Sequence, residues 1–152
     1  MVGGSDKQLR FFDVKGDVTS CEMKLYTPGF IDDKTNKPFD CVKLKDPVNV
    51  AAFTGDGAVV AAAGGTSTES TVMIFATEWK ASAHVTLSKA GASLDFSGAI
   101  LALCFSGDGT VLAIGGKAQE VTLYMLDPNN QTSAPVRRGK IQCGREIWYA
   151  PH

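Results

Sequence analysis

The segment Phe53-Thr54-Gly55-Asp56-Gly57-Ala58-Val59-Val60 returns as Phe105-Ser106-Gly107-Asp108-Gly109-Thr110-Val111-Leu112, an offset of 52. A chain that repeats a strand-sized unit is constrained to build its core by stacking neighbouring copies. The match continues without a gap upstream, where Val48 pairs with Ile100, and downstream, where Ala63-Gly64 pairs with Gly115-Gly116. An incomplete third copy opens the chain. Val2-Gly3-Gly4 and Leu9-Arg10-Phe11-Phe12 correspond to Ile114-Gly115-Gly116 and Val121-Thr122-Leu123-Tyr124, both at an offset of 112. In the middle copy the same hairpin runs from Gly64 to Val72 with extra residues, and loop tips absorb such insertions readily.

Each copy reads as strands, because its apolar residues alternate or run in short stretches rich in Val, Ile and aromatics between Gly and Asp. The two Gly-Asp-Gly segments supply residues that tolerate positive φ, as a tight turn between antiparallel strands requires. One unit is then strand, Asp-Gly turn, strand ending in two small residues, turn, and apolar strand. A more polar fourth strand is expected at Phe39 to Lys45, Ala81 to Ser88 and Val136 to Cys143. The stretch from Lys15 to Pro38 breaks this rhythm and reads as a long insertion before the first outer strand.

These residues resemble the WD-repeat family of β-propellers, in which Phe-Ser-x-Asp-Gly closes one strand and a later strand ends in Trp-Asp. Gly4-Ser5-Asp6-Lys7-Gln8-Leu9-Arg10-Phe11-Phe12-Asp13 follows that closing pattern, with Phe12 where the family has Trp. The equivalent pairs elsewhere are Phe75-Ala76 and Tyr124-Met125. Gly-His pairs are missing, and Ala118 stands where Asp6 has the family's acidic position. The resemblance implies an all-β fold of four-stranded antiparallel propeller blades in an incomplete ring, about two whole blades plus parts of two. Residues 1–46 would form a partial first blade with the insertion at 15–38, 47–97 the second and 98–143 the third. Residues 144–152 would begin a further blade or a tail. Blade stability would rest on Val50, Phe53, Val60, Ile74, Ile100, Leu103, Leu112 and Leu123.

Composition narrows the function classes. Fifteen basic and sixteen acidic side chains leave a net charge of −1, so no strong field points to nucleic acid or an anionic membrane. Arg137, Arg138, Lys140 and Arg145 cluster without interleaved aromatics and read as a solvated edge strand. No apolar run approaches the roughly 20 residues of a spanning helix, and the first residues lack the pattern of a secretory signal. A cytoplasmic location is the resulting expectation. Cys21, Cys41, Cys104 and Cys143 are too far apart for a C-x-x-C pair and are read as reduced, with Cys104 as a small core residue. The run at Asp32-Asp33-Lys34-Thr35-Asn36 lacks the glycine and the final Glu of a calcium loop. His84 in an outer strand and His152 at the end of the sequence suggest no nucleophile–base pair. No cofactor or metal site is therefore expected.

The reading is a non-catalytic scaffold that binds other proteins. Its candidate contacts are the hairpin tips: Ser5, Asp6, Lys7 and Gln8; Thr66, Ser67 and Glu69; Lys117, Gln119 and Glu120. Further blades of the same protein, or copies of itself, would complete the ring. Exchange-factor or enzymatic activity in a longer protein, and a structural subunit of a large assembly, are the alternatives.

Overall fold

The computed structural model describes residues 2–16, 21–28, 30–31, 38–39, 42–80, 84–89 and 93–144, with side chains placed over 4–10, 44–78 and 93–144. Among the described residues there are strands and no helix. In chain order the strands are β1 (Val2–Gly3), β2 (Gln8–Gly16), β3 (Cys21–Pro28), β4 (Phe30–Ile31), β5 (Pro38–Phe39), β6 (Val42–Lys43), β7 (Val48–Phe53) and β8 (Val59–Gly65). They continue as β9 (Glu69–Lys80), β10 (His84–Lys89), β11 (Leu94–Ser97), β12 (Ile100–Phe105), β13 (Val111–Gly116), β14 (Glu120–Met125) and β15 (Val136–Gln142).

Two four-stranded antiparallel units dominate, β7-β8-β9-β10 and β12-β13-β14-β15, each in chain order and neither closed on itself; the first continues through a short β10–β3 pair into β3-β2-β1, so that with β6 and β11 it forms a nine-stranded sheet. Their internal correspondence follows the sequence repeat closely. In each, the first strand carries one extra residue opposite the second: register shifts between Val48 and Val50, and again between Ile100 and Ala102. The turns match atom for atom. The Val59 amide donates to Thr54 Oγ1 at 3.0 Å and the Val111 amide to Ser106 Oγ at 2.9 Å. Gly57 and Gly109 share a φ of 71°, a left-handed conformation that glycine adopts without a Cβ clash.

The opening copy obeys the same register. Lys7 and Gln119, 112 positions apart, are the non-glycine residues with positive φ among the described ones, at 63° and 57°. Each closes its hairpin onto a glycine carbonyl, Lys7 N to Gly4 O at 3.1 Å and Gln119 N to Gly116 O at 3.4 Å.

Packing explains why the strands alternate as they do. On one side of the middle sheet Val59, Ala61, Ala63, Val72 and Ile74 join Ile100, Leu103, Leu112, Ile114 and Leu126 in one core. On its other side Val60, Ala62 and Phe75 join Leu9, Leu44 and Val48 in a second. Every residue of β8 is therefore buried, and its run of alanines lets the neighbouring sheets approach closely. Leu112 and Ile114 fill the space that Ala61 and Ala63 leave.

Four expectations from sequence are corrected. Residues 21–28 of the supposed insertion form β3, paired antiparallel with β2 from Phe11↔Tyr26 to Gly16↔Cys21. The alternation Cys-Glu-Met-Lys-Leu, apolar then charged, is strand-like, and β3 also meets β10 in a short parallel pair. The extra residues of the middle hairpin lengthen its strands rather than its tip, since pairing continues to Gly65↔Ser70. Cys104 is exposed rather than a core residue. Leu123 is half-buried and belongs to neither core, because its side of β14 faces away from the middle sheet. The outer strands at 84–89 and 136–142 fall close to their expected places, while Cys41, Arg145 and the segment 145–152 lie outside the described residues.

Candidate interaction rim

The three predicted tips lie along one edge of the molecule, and backbone hydrogen bonds join them through the segments that connect the sheets. The Val48 amide donates to Gly4 O at 3.0 Å, and the Lys7 ammonium to Lys45 O at 3.0 Å, tying the first tip to residues 45–48. Gly65 N donates to Pro47 O at 3.1 Å, carrying the edge to the second tip. Gly98 N then reaches Thr68 O at 2.7 Å, and Lys117 N reaches Ala99 O at 3.0 Å, carrying it to the third. The bonds Gly65 N to Pro47 O and Lys117 N to Ala99 O are themselves one repeat apart.

Such closeness depends on glycine at two equivalent positions. A Cβ on Gly64 would stand 2.9 Å from the carbonyl oxygens of Asp46 and Pro47, and one on Gly116 would stand 2.0 Å from that of Ala99. No real Cβ occupies such a distance, so the small-residue pair ending β8 and β13 is what allows the incoming chain to cross the hairpin.

Many of the candidate side chains hold the tips in shape. Arg10 donates to Asp6 Oδ2 at 2.6 Å and to Gln8 Oε1 at 2.6 Å, and the Gln8 amide donates to Asp6 Oδ1 at 3.2 Å. The Arg10 hydrogen bond, helped by the Gln8 amide, holds the Asp6 carboxyl below its ordinary value of 3.8. Thr66 Oγ1 accepts the amides of Thr68 and Glu69, each at 3.3 Å, and so closes the second tip. Glu120 is ion-paired with Lys140 and accepts from Gln142 Nε2 at 3.4 Å, which turns it toward β15 and away from the tip. Ser5, Ser67, Glu69, Lys117 and Gln119 stand exposed along the edge.

A groove of about 530 Å³ opens beside the second tip, lined by Lys45, Asp46, Glu69, Ser70, Thr71, Asp95 and neighbours. The sequence reading picked out Glu69 there and missed Lys45, Asp46 and Asp95. These come from a connecting segment and from β11, which pairs with the first half of β9 (Leu94↔Val72 to Ser97↔Glu69), and no local signal places them together. Thr71 Oγ1 donates to Asp95 Oδ1 at 3.0 Å and fixes that strand. Ser70 is buried, and its Oγ accepts the Ile100 amide at 3.2 Å where the chain enters the next sheet.

At the opposite edge Thr54 Oγ1 donates to Asp56 at 2.6 Å and Ser106 Oγ to Asp108 at 2.6 Å. These bonds, with the Ala58 and Thr110 amides at 2.9 and 3.1 Å, lower both carboxyl pKa values below 3.8. Each carboxylate is thereby spent on its own turn. Among the described residues no three His, Cys, Asp or Glu side chains come together as a metal site. Arg137, Arg138 and Lys140 are exposed on β15, the edge strand of its sheet.

Compared with known proteins, the chain matches no family model and no curated protein sequence.

Proposed function

We propose that this chain is a set of WD-repeat-type propeller blades acting as a non-catalytic scaffold, with partner proteins docking on the rim of hairpin tips. The observation that supports this reading most is the repeat-spaced chain of backbone hydrogen bonds linking three polar, exposed tips into one edge. Rigid tips on a β scaffold lose little conformational entropy when a partner binds, which is the physical advantage of presenting contacts this way. The exposed side chains Ser67, Glu69, Lys117 and Gln119 are the contacts to test, because Asp6, Thr66 and Glu120 are engaged in shaping the tips. A partner would reach its blade location in the cytoplasm.

The test compares the proteins retained by the immobilised chain with those retained by a Glu69→Ala, Lys117→Ala, Gln119→Ala triple variant, using quantitative mass spectrometry. Partners lost from the variant while its circular dichroism is unchanged are the expected result. Full retention of every partner by the variant would remove the tips from the binding site.

A further inference from the structure

Asp46, Glu69 and Asp95 converge on the groove beside the second tip from three separate places: the segment between sheets, the tip itself and β11. Elsewhere the chain engages its carboxylates with its own donors. Asp6 is paired with Arg10 and Glu120 with Lys140, while Asp56, Asp108 and Asp127 accept bonds within their own turns. Among the described residues no cation is paired with the three carboxylates of the groove, and Asp95 accepts its one side-chain bond from a neutral hydroxyl, that of Thr71. Lys45 lies on the same wall without joining them. A cleft lined by uncompensated charge of one sign draws in the opposite charge. Beyond Asp46, Thr71 and Asp95 the groove runs on into a recess of about 210 Å³, where Leu44 and Met73 supply an apolar wall. Ser70, 3% exposed, also lines the groove. Its Oγ accepts the Ile100 amide at 3.2 Å, but among the described residues its own proton has no acceptor. A buried donor left unused is costly until something accepts from it.

We propose that the groove holds an arginine side chain from an extended segment of a partner protein. The inference rests on the reading that partners dock on the rim, and it gives that partner a chemistry. Among the described residues no three His, Cys, Asp or Glu side chains stand close enough to share a metal ion, so the missing counter-charge must be spread over a larger group. A guanidinium is such a group: its five N–H donors fan out in a plane and reach carboxylates on different sides at once. Its three-carbon stem is apolar and suits the wall formed by Leu44 and Met73, as long cationic side chains bury their stems while the head stays polar. A main-chain carbonyl of the same segment takes the Ser70 proton. The Lys7 ammonium, which donates to Lys45 O at 3.0 Å, already shows a cation seated on the segment that carries Asp46.

The experiment follows the amide nitrogen–proton spectrum of the full chain as the peptide acetyl-Gly-Ala-Arg-Ala-Gly-amide is added. The same peptide with citrulline in place of arginine, a neutral group of the same shape, is the control. The expected result is saturable shifts confined to residues 45–46, 69–71 and 95–97 with the arginine peptide, and none that saturate with the citrulline peptide. Asp46→Asn combined with Asp95→Asn should weaken binding by about tenfold, the effect of removing two solvent-screened charge pairs. Asparagine at position 95 keeps an oxygen for the Thr71 hydroxyl. Should the double variant disturb the rest of the spectrum, Glu69→Gln gives the same reading with a loss of about threefold. Equal binding of the two peptides, no saturable shift up to the solubility limit of the arginine peptide, shifts placed elsewhere, or indifference to these substitutions would overturn the proposal. Partners lost from the Glu69→Ala, Lys117→Ala, Gln119→Ala variant with no arginine peptide bound would keep the rim and remove the groove. Arginine peptide bound in the groove with no partner lost from that variant would keep the groove and remove the tips.

Discussion

The second and third sheets are built from one pattern, and they differ in what covers them. Both start with a strand that bulges at its second residue, turn on Gly57 or Gly109 at the same φ, and finish the second strand with a glycine that lets the chain cross. The middle sheet has a neighbour on each side, so β8 is buried along its whole length. Among the described residues the third has a neighbour on one side only, and its burial is partial: in β13 Leu112 and Ile114 to Gly116 are buried, in β14 Thr122 is, and the remaining residues of both strands are half-buried. The pattern of a repeat therefore specifies which residues can be covered, while the neighbour decides which are.

The sharpest way to break this comparison is to cut the same side chain from the two faces of the third sheet. Leu112 is fully buried in the core shared with the middle sheet, whereas Leu123 points away from it. Leu112→Ala should cost about 2–5 kcal/mol, the transfer loss plus the cavity left between the sheets. Leu123→Ala should cost clearly less, about 1–2 kcal/mol at dilute protein, since that side chain is only partly buried and belongs to neither core. Urea unfolding followed by circular dichroism gives both numbers. Equal losses would mean that the outer face is packed in solution as tightly as the inner one.

A second pair of substitutions sharpens the comparison at the crossing points. Gly116→Ala places a Cβ 2.0 Å from Ala99 O and 3.0 Å from Ile100 Cα, both backbone atoms that cannot swing aside. Gly64→Ala meets the carbonyls of Asp46 and Pro47 at 2.9 Å, a milder intrusion. Overpacking of this kind costs about 1–3 kcal/mol, with Gly116→Ala expected at or above the upper end and Gly64→Ala below it. Gly107→Ala, where a Cβ meets nothing within 4 Å, is the control and should be neutral to slightly stabilising. Thermal unfolding of the three variants ranks them directly.

Much of this architecture was legible in the residues because the determinants are local. Phe-Thr/Ser-Gly-Asp-Gly spells out a turn whose hydroxyl, carboxylate and glycine each have a fixed task, so both copies could be placed from sequence, as could the offset that aligns Lys7 with Gln119. What failed depended on partners distant in sequence. Leu123 and Cys104 sit in strands as apolar as those beside the core, and alternation alone cannot say that their side lacks a neighbouring sheet. β3 was missed for another reason: Cys21 to Leu25 alternate as a strand does, but the stretch has no counterpart in the repeat, and its pairing with β2 extends that hairpin well past its expected length. The candidate rim was half legible: the tips were found, but Asp95 and Lys45 join it only through β11 and the connection between sheets. Asp6 and Glu120 proved to be engaged in ion pairs, an outcome that exposure and polarity could not foretell.

The smallest effect tests what the two sheets share. Asp56 and Asp108 share a hydroxyl and an amide bond, Asp108 accepting the Thr110 hydroxyl at 2.9 Å besides, and both carboxyl groups titrate below their ordinary value of 3.8 because these donors hydrogen-bond to the ionised form. A carboxyl whose folded pKa is depressed contributes stability that is fully present above the unfolded value. That contribution starts to fall as pH drops below about 4 and is gone once pH has passed through the lower folded value. Both groups are fully exposed, so solvent screening keeps each contribution small. Asp56→Asn and Asp108→Asn should each flatten the acid limb of the urea-midpoint profile, Asp108→Asn by a similar or slightly larger amount because of its Thr110 bond, while leaving its slope above pH 5 unaltered. Similar losses would show that the turn is an autonomous local device, indifferent to whether its sheet has one neighbour or two. A larger loss at Asp56 would instead couple the turn to packing, because only its sheet is enclosed on both sides.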